Sequence, residues 1–151
     1  IGHDCEIDNH VILSSGVIIG GHVKLHERVW LSAMVGVNPF VTVGKFVYGG
    51  ALSIIAHDIP HFVKVAGSYP CKIRGLNSIG LERNGYTTEV VAAIKYAYKQ
   101  LYRSKAHKTI LMAVKFLREQ TDLNGETESM LEMIEQSASH RTGRYLESKR
   151  H

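Results

Sequence analysis

His3 and Asp4 are the first adjacent residues of this chain whose side chains could do chemistry together. A carboxylate beside an imidazole can hold the ring in one tautomer and make it a better base, which suits general-base catalysis. Gly21 stands 18 residues after His3 and is followed by His22. A glycine leaves its backbone N–H approachable, as a donor to a developing oxyanion must be. The alternative is that His3 and Asp4 are solvated corner residues and that Gly21 serves a tight corner.

A repeat of six residues, which runs from Ile1 to Pro60, must position these side chains. A helix repeats every 3.6 residues and a strand every two, so neither explains the period. Short repeats of this kind predict a parallel β-helix, in which three hexads make one triangular coil of 18 residues. His3 and Gly21 should therefore stack in neighbouring coils. The first inward row is Ile1, Ile7, Leu13, Ile19, Leu25, Leu31, Val37, Val43 and Ile55, interrupted at Gly49, and the second is Cys5, Val11, Val17, Val23, Val29, Val35, Val41, Val47, Ser53 and Ile59.

The corners and the start of the β-helix carry further expectations. Left-handed winding is usual for hexad repeats of this type, although ordinary parallel crossovers are right-handed. Ile1 is already in phase with the repeat, and an uncovered first coil would expose strand edges and apolar side chains. We therefore expect this chain to be the later part of a longer β-helix. The glycines that directly follow first-row positions, where a turn needs no side chain, are Gly2, Gly20, Gly44 and Gly50.

The six-residue pattern ends after Pro60. We place the β-helix over 1–65, an irregular connection rich in turn residues over 66–86, and a helical domain over 87–151. Thr87 or Thr88 offers an N-cap for a first helix, and apolar spacing predicts a second helix over 107–120 and a third, acidic helix over 126–137.

Composition restricts the function classes. The formal charge of +4 is compatible with an acidic partner or a phosphorylated substrate but does not demand either. No segment approaches the roughly 18 apolar residues of a membrane span, and the residues after Ile1 do not have the charged-then-apolar pattern of a leader, so we expect no secretion. Cys5 and Cys71 are too few for a disulfide framework, so we expect a reducing, cytoplasmic setting. We expect no nucleic-acid partner and no integral membrane segment.

Nine histidines invite a test for a metal site. Trimeric β-helix enzymes similar to the γ-class carbonic anhydrases bind zinc through histidines two coils apart and another five residues on. Two coils after His3 stands Pro39, and the pairs His22/His26 and His57/His61 are spaced by four residues. The spacing therefore predicts no metal site.

A set of short motifs is spread over the chain as far as about Arg103. The motifs are His3-Asp-Cys5, Gly20-Gly-His22-Val23, Val37-Asn-Pro-Phe40, Gly49-Gly50, Asp58-Ile-Pro60, Gly75-Leu-Asn77, Ile79-Gly-Leu-Glu-Arg83, Gly85-Tyr86 and the helical run 93–103. Together they resemble the UDP-N-acetylglucosamine O-acyltransferases that begin lipid A synthesis.

The resemblance implies transfer of a 3-hydroxyacyl group from acyl carrier protein to the sugar 3-hydroxyl of a UDP-aminosugar. It implies that His3 is the general base, that Asp4 orients and polarises His3, and that the Gly21 N–H stabilises the oxyanion. No metal or redox cofactor is needed, because the acyl thioester supplies the driving force. The resemblance also implies a homotrimer with its sites in the clefts between subunits.

The same resemblance names the residues that contact substrates. His22 would touch the sugar nucleotide, as would Asn77 and Arg83 on the connection. Tyr48 and Ala51, beside Gly49-Gly50, would limit the length of the acyl chain in a groove along the β-helix.

The chain departs from the family pattern at two points. Asn38-Pro39 stands where the family commonly has His-Gln, and Asn84 stands where a second arginine is common. Asn38 could bind a ligand or merely cap a corner, whereas Pro39 offers neither a polar side chain nor an N–H. Asn38-Pro39 and the expected missing coils keep one alternative open, a catalytically degenerate trimeric scaffold. A second alternative is a related β-helical acyltransferase that acts on another UDP-aminosugar.

The segment 95–118 carries seven Lys or Arg residues and no Asp or Glu. Because acyl carrier proteins present an acidic helix, we expect this segment to bind the donor. The alternative is a solubilising face that the acidic third helix partly neutralises.

Overall fold

A computed structural model describes residues 1–69, 71–120 and 122–139. Its strands and helices follow one another along the chain as a run of short strands and then a run of helices. They are β1 Glu6–Ile7, β2 Ile12–Leu13, β3 Ile18–Ile19, β4 Lys24–Leu25, β5 Trp30–Leu31, β6 Gly36–Val37, β7 Thr42–Val43, β8 Tyr48–Gly49, β9 Ile54–Ile55, β10 Val63–Ala66, β11 Lys72–Leu76, α1 Ser78–Arg83, α2 Thr88–Tyr102, α3 Ile110–Arg118 and α4 Gly125–Ala138.

Strands β1 to β9 build a parallel β-solenoid with three faces. Each of the strands β1 to β6 pairs in parallel with the strand three further along the chain, which gives the rows β1-β4-β7, β2-β5-β8 and β3-β6-β9. The register joins Glu6 to Lys24, so one coil is 18 residues long. The predicted parallel solenoid and its coil length are therefore confirmed.

The two inward rows form the solenoid core from Ile19 onward. Leu25, Leu31 and Ile55 of the first row are fully buried, as are the valines of the second row from Val23 to Val47. Burial of such a side chain contributes about 1.5–3 kcal/mol each, so these rows dominate the stability of the solenoid. Ile1 and Ile7, in the first coil, are exposed.

The glycines after the first row serve close packing between coils. A Cβ on Gly2 would lie 2.5 Å from the Gly21 nitrogen, and one on Gly20 would lie 2.6 Å from the Pro39 nitrogen. A side chain is also excluded at Gly44, where a Cβ would lie 2.6 Å from the His61 nitrogen, whereas a Cβ on Gly50 would make a tight contact of 3.3 Å with Ala66. The left-handed backbone conformation at each corner belongs instead to the residue two positions later, such as Asp4 and His22.

The segment predicted as an irregular connection contains regular structure. Strand β10 lies parallel to β8, and β11 pairs antiparallel with β10, so a hairpin ends the solenoid. Helix α1 follows, with Asn77 as its N-cap. The sequence did not predict these elements, because Gly67, Gly75 and Asn77 are typical turn residues. The strands form there because they pair with β8 and β10, and such tertiary pairing overrides local propensity.

The three longer helices pack together beside the solenoid. Thr87 caps α2 as predicted, whereas α3 begins later than predicted because Thr109 accepts a hydrogen bond from the Met112 nitrogen. The core between the helices includes Ile94, Leu101, Val114, Leu117 and Leu131. None of the helices in the described ranges has the length and hydropathy of a membrane span. The predicted helical domain over 87–151 includes 140–151, which lie outside the described residues.

A polar contact fastens the helices to the solenoid. Lys45, on a corner of the solenoid, forms an ion pair with Glu126 in the first turn of α4. The Tyr86 hydroxyl donates to the second oxygen of Glu126 at 3.2 Å. Burial, followed by the charge and hydrogen bond of Glu126, raises the pKa of Tyr86 to about 12.

Candidate active site

A histidine–aspartate pair lies on the corner between the β3-β6-β9 and β1-β4-β7 sheets. His3 Nδ1 lies 2.7 Å from Asp4 Oδ2, a hydrogen-bond distance. The Nε2 atom of His22, one coil further on, lies 3.8 Å from the same carboxylate oxygen. The rings of His3 and His22 meet edge to face with centroids 4.8 Å apart. One carboxylate therefore faces two imidazoles from neighbouring coils.

Gly21 lies against His3, as the 18-residue spacing predicts. The His22 nitrogen donates to the His3 carbonyl oxygen at 2.9 Å, which fixes the two coils in this register. A Cβ on Gly21 would lie 3.0 Å from His3 Nε2. Within the described part of the chain, the Gly21 N–H donates to no backbone carbonyl. The corner thus places Gly21 beside the outer nitrogen of the histidine.

The next coil covers this corner with Pro39 and Phe40. The Pro39 ring packs over Gly20, and the Phe40 ring stacks on His22 with centroids 4.6 Å apart and planes 13° apart. Asn38 is partly buried, and its backbone nitrogen donates to the Ile55 carbonyl at 2.9 Å.

The corner also holds donors that could bind a metal ion. Among the described residues, His3, Asp4 and His22 offer ligand atoms that lie within 4.8 Å of one another. The sequence test compared only histidine pairs, so it did not consider a carboxylate that joins histidines of adjacent coils.

Two histidines of the rejected metal pairs, His26 and His61, have other partners. His26 Nδ1 lies 3.2 Å from Asp8 Oδ2. His61 is buried, and its Nδ1 accepts a hydrogen bond from the Lys45 backbone nitrogen at 2.8 Å. Burial, followed by the charges of Lys45 and His26, lowers the pKa of His61 to about 3. His61 is therefore neutral at ordinary pH, and its hydrogen bond joins the end of the solenoid to the corner at Lys45.

A second group of the predicted residues lies in a cleft of about 360 Å³ on the outer face of the β2-β5-β8 sheet. Asn77, Arg83 and Tyr48 line it, and the residues of the His3 corner do not. Ala51 is exposed on the turn after β8 and does not line this cleft. The lining is His10, Ile12, Arg28, Trp30, Phe46, Tyr48, Lys64, Asn77, Ile79, Gly80, Arg83 and Asn84.

Asn77 is held by hydrogen bonds at both ends of its amide. Its Nδ2 donates to the Phe46 carbonyl at 2.9 Å, and its Oδ1 accepts from the Gly80 nitrogen at 3.2 Å. Asn77 therefore joins α1 to the solenoid and positions Arg83 at the end of that helix beside the cleft.

The sequence interpretation missed Arg28, Trp30 and Lys64, which line the same cleft. Trp30 pairs in register with Tyr48, and their rings are 5.8 Å apart. The Tyr48 hydroxyl is in turn hydrogen-bonded to Ser32 Oγ at 2.9 Å. The 18-residue spacing of Trp30 and Tyr48 was a signal that could have found this aromatic pair.

A protein-family model described as UDP-N-acetylglucosamine O-acyltransferase, domain 2, matches residues 58–143, more than half of the chain. The chain belongs to this family. Among its curated relatives, the acyl-[acyl-carrier-protein]–UDP-N-acetylglucosamine O-acyltransferase of Synechocystis is 38% identical over 104 residues, which are 69% of this chain and 37% of the relative. The enzyme of that name from Burkholderia lata is 39% identical over 104 residues, 69% of this chain and 39% of the relative.

Solved structures of the same acyltransferase family share the fold. The Arabidopsis UDP-N-acetylglucosamine acyltransferase superposes with a TM-score of 0.85 at 27% identity, over 89% of this chain and 48% of that protein. The Francisella novicida enzyme superposes with a TM-score of 0.83 at 31% identity, over 93% of this chain and 50% of that protein. The chain thus spans about half the length of these structures and less of the curated relatives.

Proposed function

We propose that the complete protein transfers a 3-hydroxyacyl group from acyl carrier protein to the 3-hydroxyl of UDP-N-acetylglucosamine, the first step of lipid A synthesis. The observation that carries this proposal is the hydrogen-bonded His3–Asp4 pair with Gly21 packed against it from the next coil. The names of the relatives, which are acyl-[acyl-carrier-protein]–UDP-N-acetylglucosamine O-acyltransferases, support the donor and the acceptor of this proposal. This chain covers those proteins only in part.

In this mechanism His3 Nε2 removes the proton of the sugar hydroxyl as its oxygen attacks the thioester carbonyl. The Gly21 N–H stabilises the oxyanion that forms there. When the tetrahedral intermediate collapses, the carbon–sulfur bond breaks and the leaving thiolate takes the proton from His3. The Asp4 carboxylate holds the His3 ring through Nδ1 and stabilises the imidazolium between these steps. The thioester supplies the driving force, so we propose that no metal or redox cofactor takes part.

We propose that the active site is completed between subunits of a homotrimer. The cleft with Arg83 lies on one face of the solenoid, and the His3 corner lies elsewhere on it. Exposed apolar side chains lie on the β2-β5-β8 face, on the β3-β6-β9 face and on the corner between them. The β1-β4-β7 face instead carries a Glu6–Lys24 ion pair. An apolar surface of this kind is typical of a subunit interface. Its exposed members are Ile12, Ile18, Trp30, Met34 and Leu52.

Within this trimer, His22 and Asn38 contact the sugar from the catalytic corner, and Asn77 and Arg83 contact the nucleotide from the cleft. Tyr48 and Ala51 limit the acyl chain. We further propose that the coils wind left-handed, that the chain divides into the parts 1–65, 66–86 and 87–151, and that it works in the cytoplasm, which the free thiols of Cys5 and Cys71 support.

The basic segment 95–118 is proposed to bind acyl carrier protein. In the described residues, the ion pairs between this segment and α4 involve Arg118, which contacts Glu128 and Glu135. The two glutamates raise the pKa of Arg118, and Arg118 lowers the pKa of Glu135. The acidic helix therefore neutralises the end of the basic segment and leaves the charges of α2, such as Lys99, for a partner.

The test is His3→Ala in the complete reading frame, including any coils that precede Ile1. Loss of a general base costs about 10²–10⁴-fold in rate, whereas the melting temperature should hardly change because the His3 side chain is 62% exposed. The assay measures by mass the product formed from hydroxyacyl carrier proteins and either UDP-N-acetylglucosamine or its 3-amino analogue. If the unmutated protein prefers the 3-amino analogue, its acceptor is that other UDP-aminosugar. If it is inactive with both sugars, the result supports the alternative of a catalytically degenerate scaffold. Activity of His3→Ala within a few-fold of the parent would remove His3 as the base.

A further inference from the structure

Phe40 shares a column of corner residues with Asp4 and His22. All three have a left-handed backbone, with φ values of 56°, 58° and 64° for Asp4, His22 and Phe40. Backbone hydrogen bonds join the turns, from the His22 nitrogen to the His3 carbonyl at 2.9 Å and from the Phe40 nitrogen to the Gly21 carbonyl at 3.0 Å. Because the same turn recurs 18 residues apart, the three side chains leave the solenoid in the same direction, one above the other.

The His22 imidazole lies between two rings. On one side the Phe40 ring is almost parallel to it, at 4.6 Å and 13°. On the other side the His3 ring meets it edge-on, at 4.8 Å and 87°. These contacts leave the His22 Nε2 atom 3.8 Å from the Asp4 carboxylate that also holds His3.

We propose that Phe40 is a positioning residue, whose ring fixes the plane of His22 and thereby the side of the Asp4–His3 pair on which the sugar binds. The inference rests on the proposed function, because it assigns Phe40 to the same corner. The left-handed backbone does not require a phenylalanine at position 40, since other corners adopt the same conformation with residues as different as Arg28 and Met34. The distinctive property of Phe40 at this corner is its aromatic ring, which stacks on His22.

The effect on activity follows from the strength of ring stacking. The stabilisation that an aromatic pair gains beyond burial of its surface changes an equilibrium constant by about two- to tenfold. Phe40→Leu keeps an apolar side chain of similar burial but removes the flat ring. We expect it to lower kcat/KM by two- to tenfold, mainly through KM for the sugar nucleotide, while Phe40→Tyr stays within twofold of the parent.

A double-mutant cycle separates positioning from simple packing. In a His22→Ala background, Phe40→Leu should have no further effect on kcat/KM, because the ring has nothing left to orient. Equal losses in both backgrounds would overturn the proposal. Melting temperatures of all variants confirm that the comparison is between folded proteins.

Nuclear magnetic resonance of the His22 ring protons tests the contact without turnover. The Phe40 ring current should shift these protons in the parent and in Phe40→Tyr, and the shift should be lost in Phe40→Leu. Unchanged His22 resonances in Phe40→Leu would overturn the positioning role whatever the kinetics. If the parent transfers no acyl group but the ring-current shift behaves as expected, the proposed function fails and the positioning of His22 by Phe40 stands.

Discussion

Gly21→Ala should damage catalysis without damaging the fold. The added Cβ would lie 3.0, 3.2 and 3.3 Å from the Nε2, Cε1 and Cδ2 atoms of His3, whereas ordinary contact begins at 3.4 Å. The His3 ring must therefore move by roughly 0.4 Å or more. It can do so because its side chain is 62% exposed, but the move disturbs the 2.7 Å contact with Asp4 and fills the space beside Nε2.

The expected loss is about 10- to 100-fold in kcat. A misplacement of about 1 Å can cost on the order of 10²-fold, and here the displacement is smaller but acts on His3, the proposed base. The backbone of Gly21 is not left-handed, so alanine is not strained there and should stabilise the protein by about 0.4–1 kcal/mol, if the ring yields.

Gly20→Ala is the matched control. Its Cβ would lie 2.6 Å from the Pro39 nitrogen and 2.8 Å from the ring Cδ, which are parts of a rigid residue. Overpacking of this kind typically costs about 1–3 kcal/mol, so this variant should melt earlier than the parent.

Product formation and thermal denaturation by circular dichroism are measured on both variants in the complete reading frame. Two results would contradict the reasoning. One is a Gly21→Ala enzyme with nearly parental kcat and an unchanged melting temperature. The other is a Gly21→Ala protein that is destabilised as much as Gly20→Ala, because the clash would then have been absorbed by the backbone.

Four further predictions follow from other parts of the structure. Ala51→Met should shift donor preference to shorter hydroxyacyl chains and Ala51→Gly to longer ones, by about ten- to two-hundredfold in competition assays, and superimposable profiles would exclude Ala51 from the groove. Reversing the charges of Lys99 and Arg103 together should raise KM for acyl carrier protein, more so at low salt, and an unchanged KM would refute that docking surface. UDP alone should alter the fluorescence of Trp30, the single tryptophan, because it lines the cleft, and no change at saturating UDP would place the nucleotide elsewhere. Because the pKa of His61 falls to about 3 on folding, the protein should lose stability as pH drops below 6.5, by up to about 1.4 kcal/mol per pH unit, and His61→Asn should flatten that slope in denaturant titrations.

The solenoid and the corner that holds His3, Asp4 and Gly21 could be predicted, because in a repeat of this kind a fixed sequence spacing becomes a contact in space. Residues 18 apart are neighbours in space, so the arithmetic that places Gly21 beside His3 uses no long-range information. The same arithmetic would have paired Trp30 with Tyr48 and Phe40 with His22, had it been applied to outward positions.

The connection after the solenoid could not be predicted in this way. Strand β11 exists because it pairs with β10, and α1 is held by the contact between Asn77 and the Phe46 carbonyl, 31 residues earlier. Such contacts depend on how the chain folds back, and local patterns do not record them. The cleft could not be predicted for the same reason, because the position of α1 places Arg83 in its lining.

The 18-residue register also acts as a unit of length for the evolution of this protein. Loss or gain of one complete coil after Phe40 would keep every corner in its column and move His3 along the solenoid axis by about 4.8 Å relative to the helices. A six-residue change would rotate everything that follows by a third of a turn. A change of one or two residues would place outward side chains in the apolar rows. Viable length variants of the solenoid should therefore differ by whole coils, and each such step changes the distance from His3 to the helices by a fixed amount.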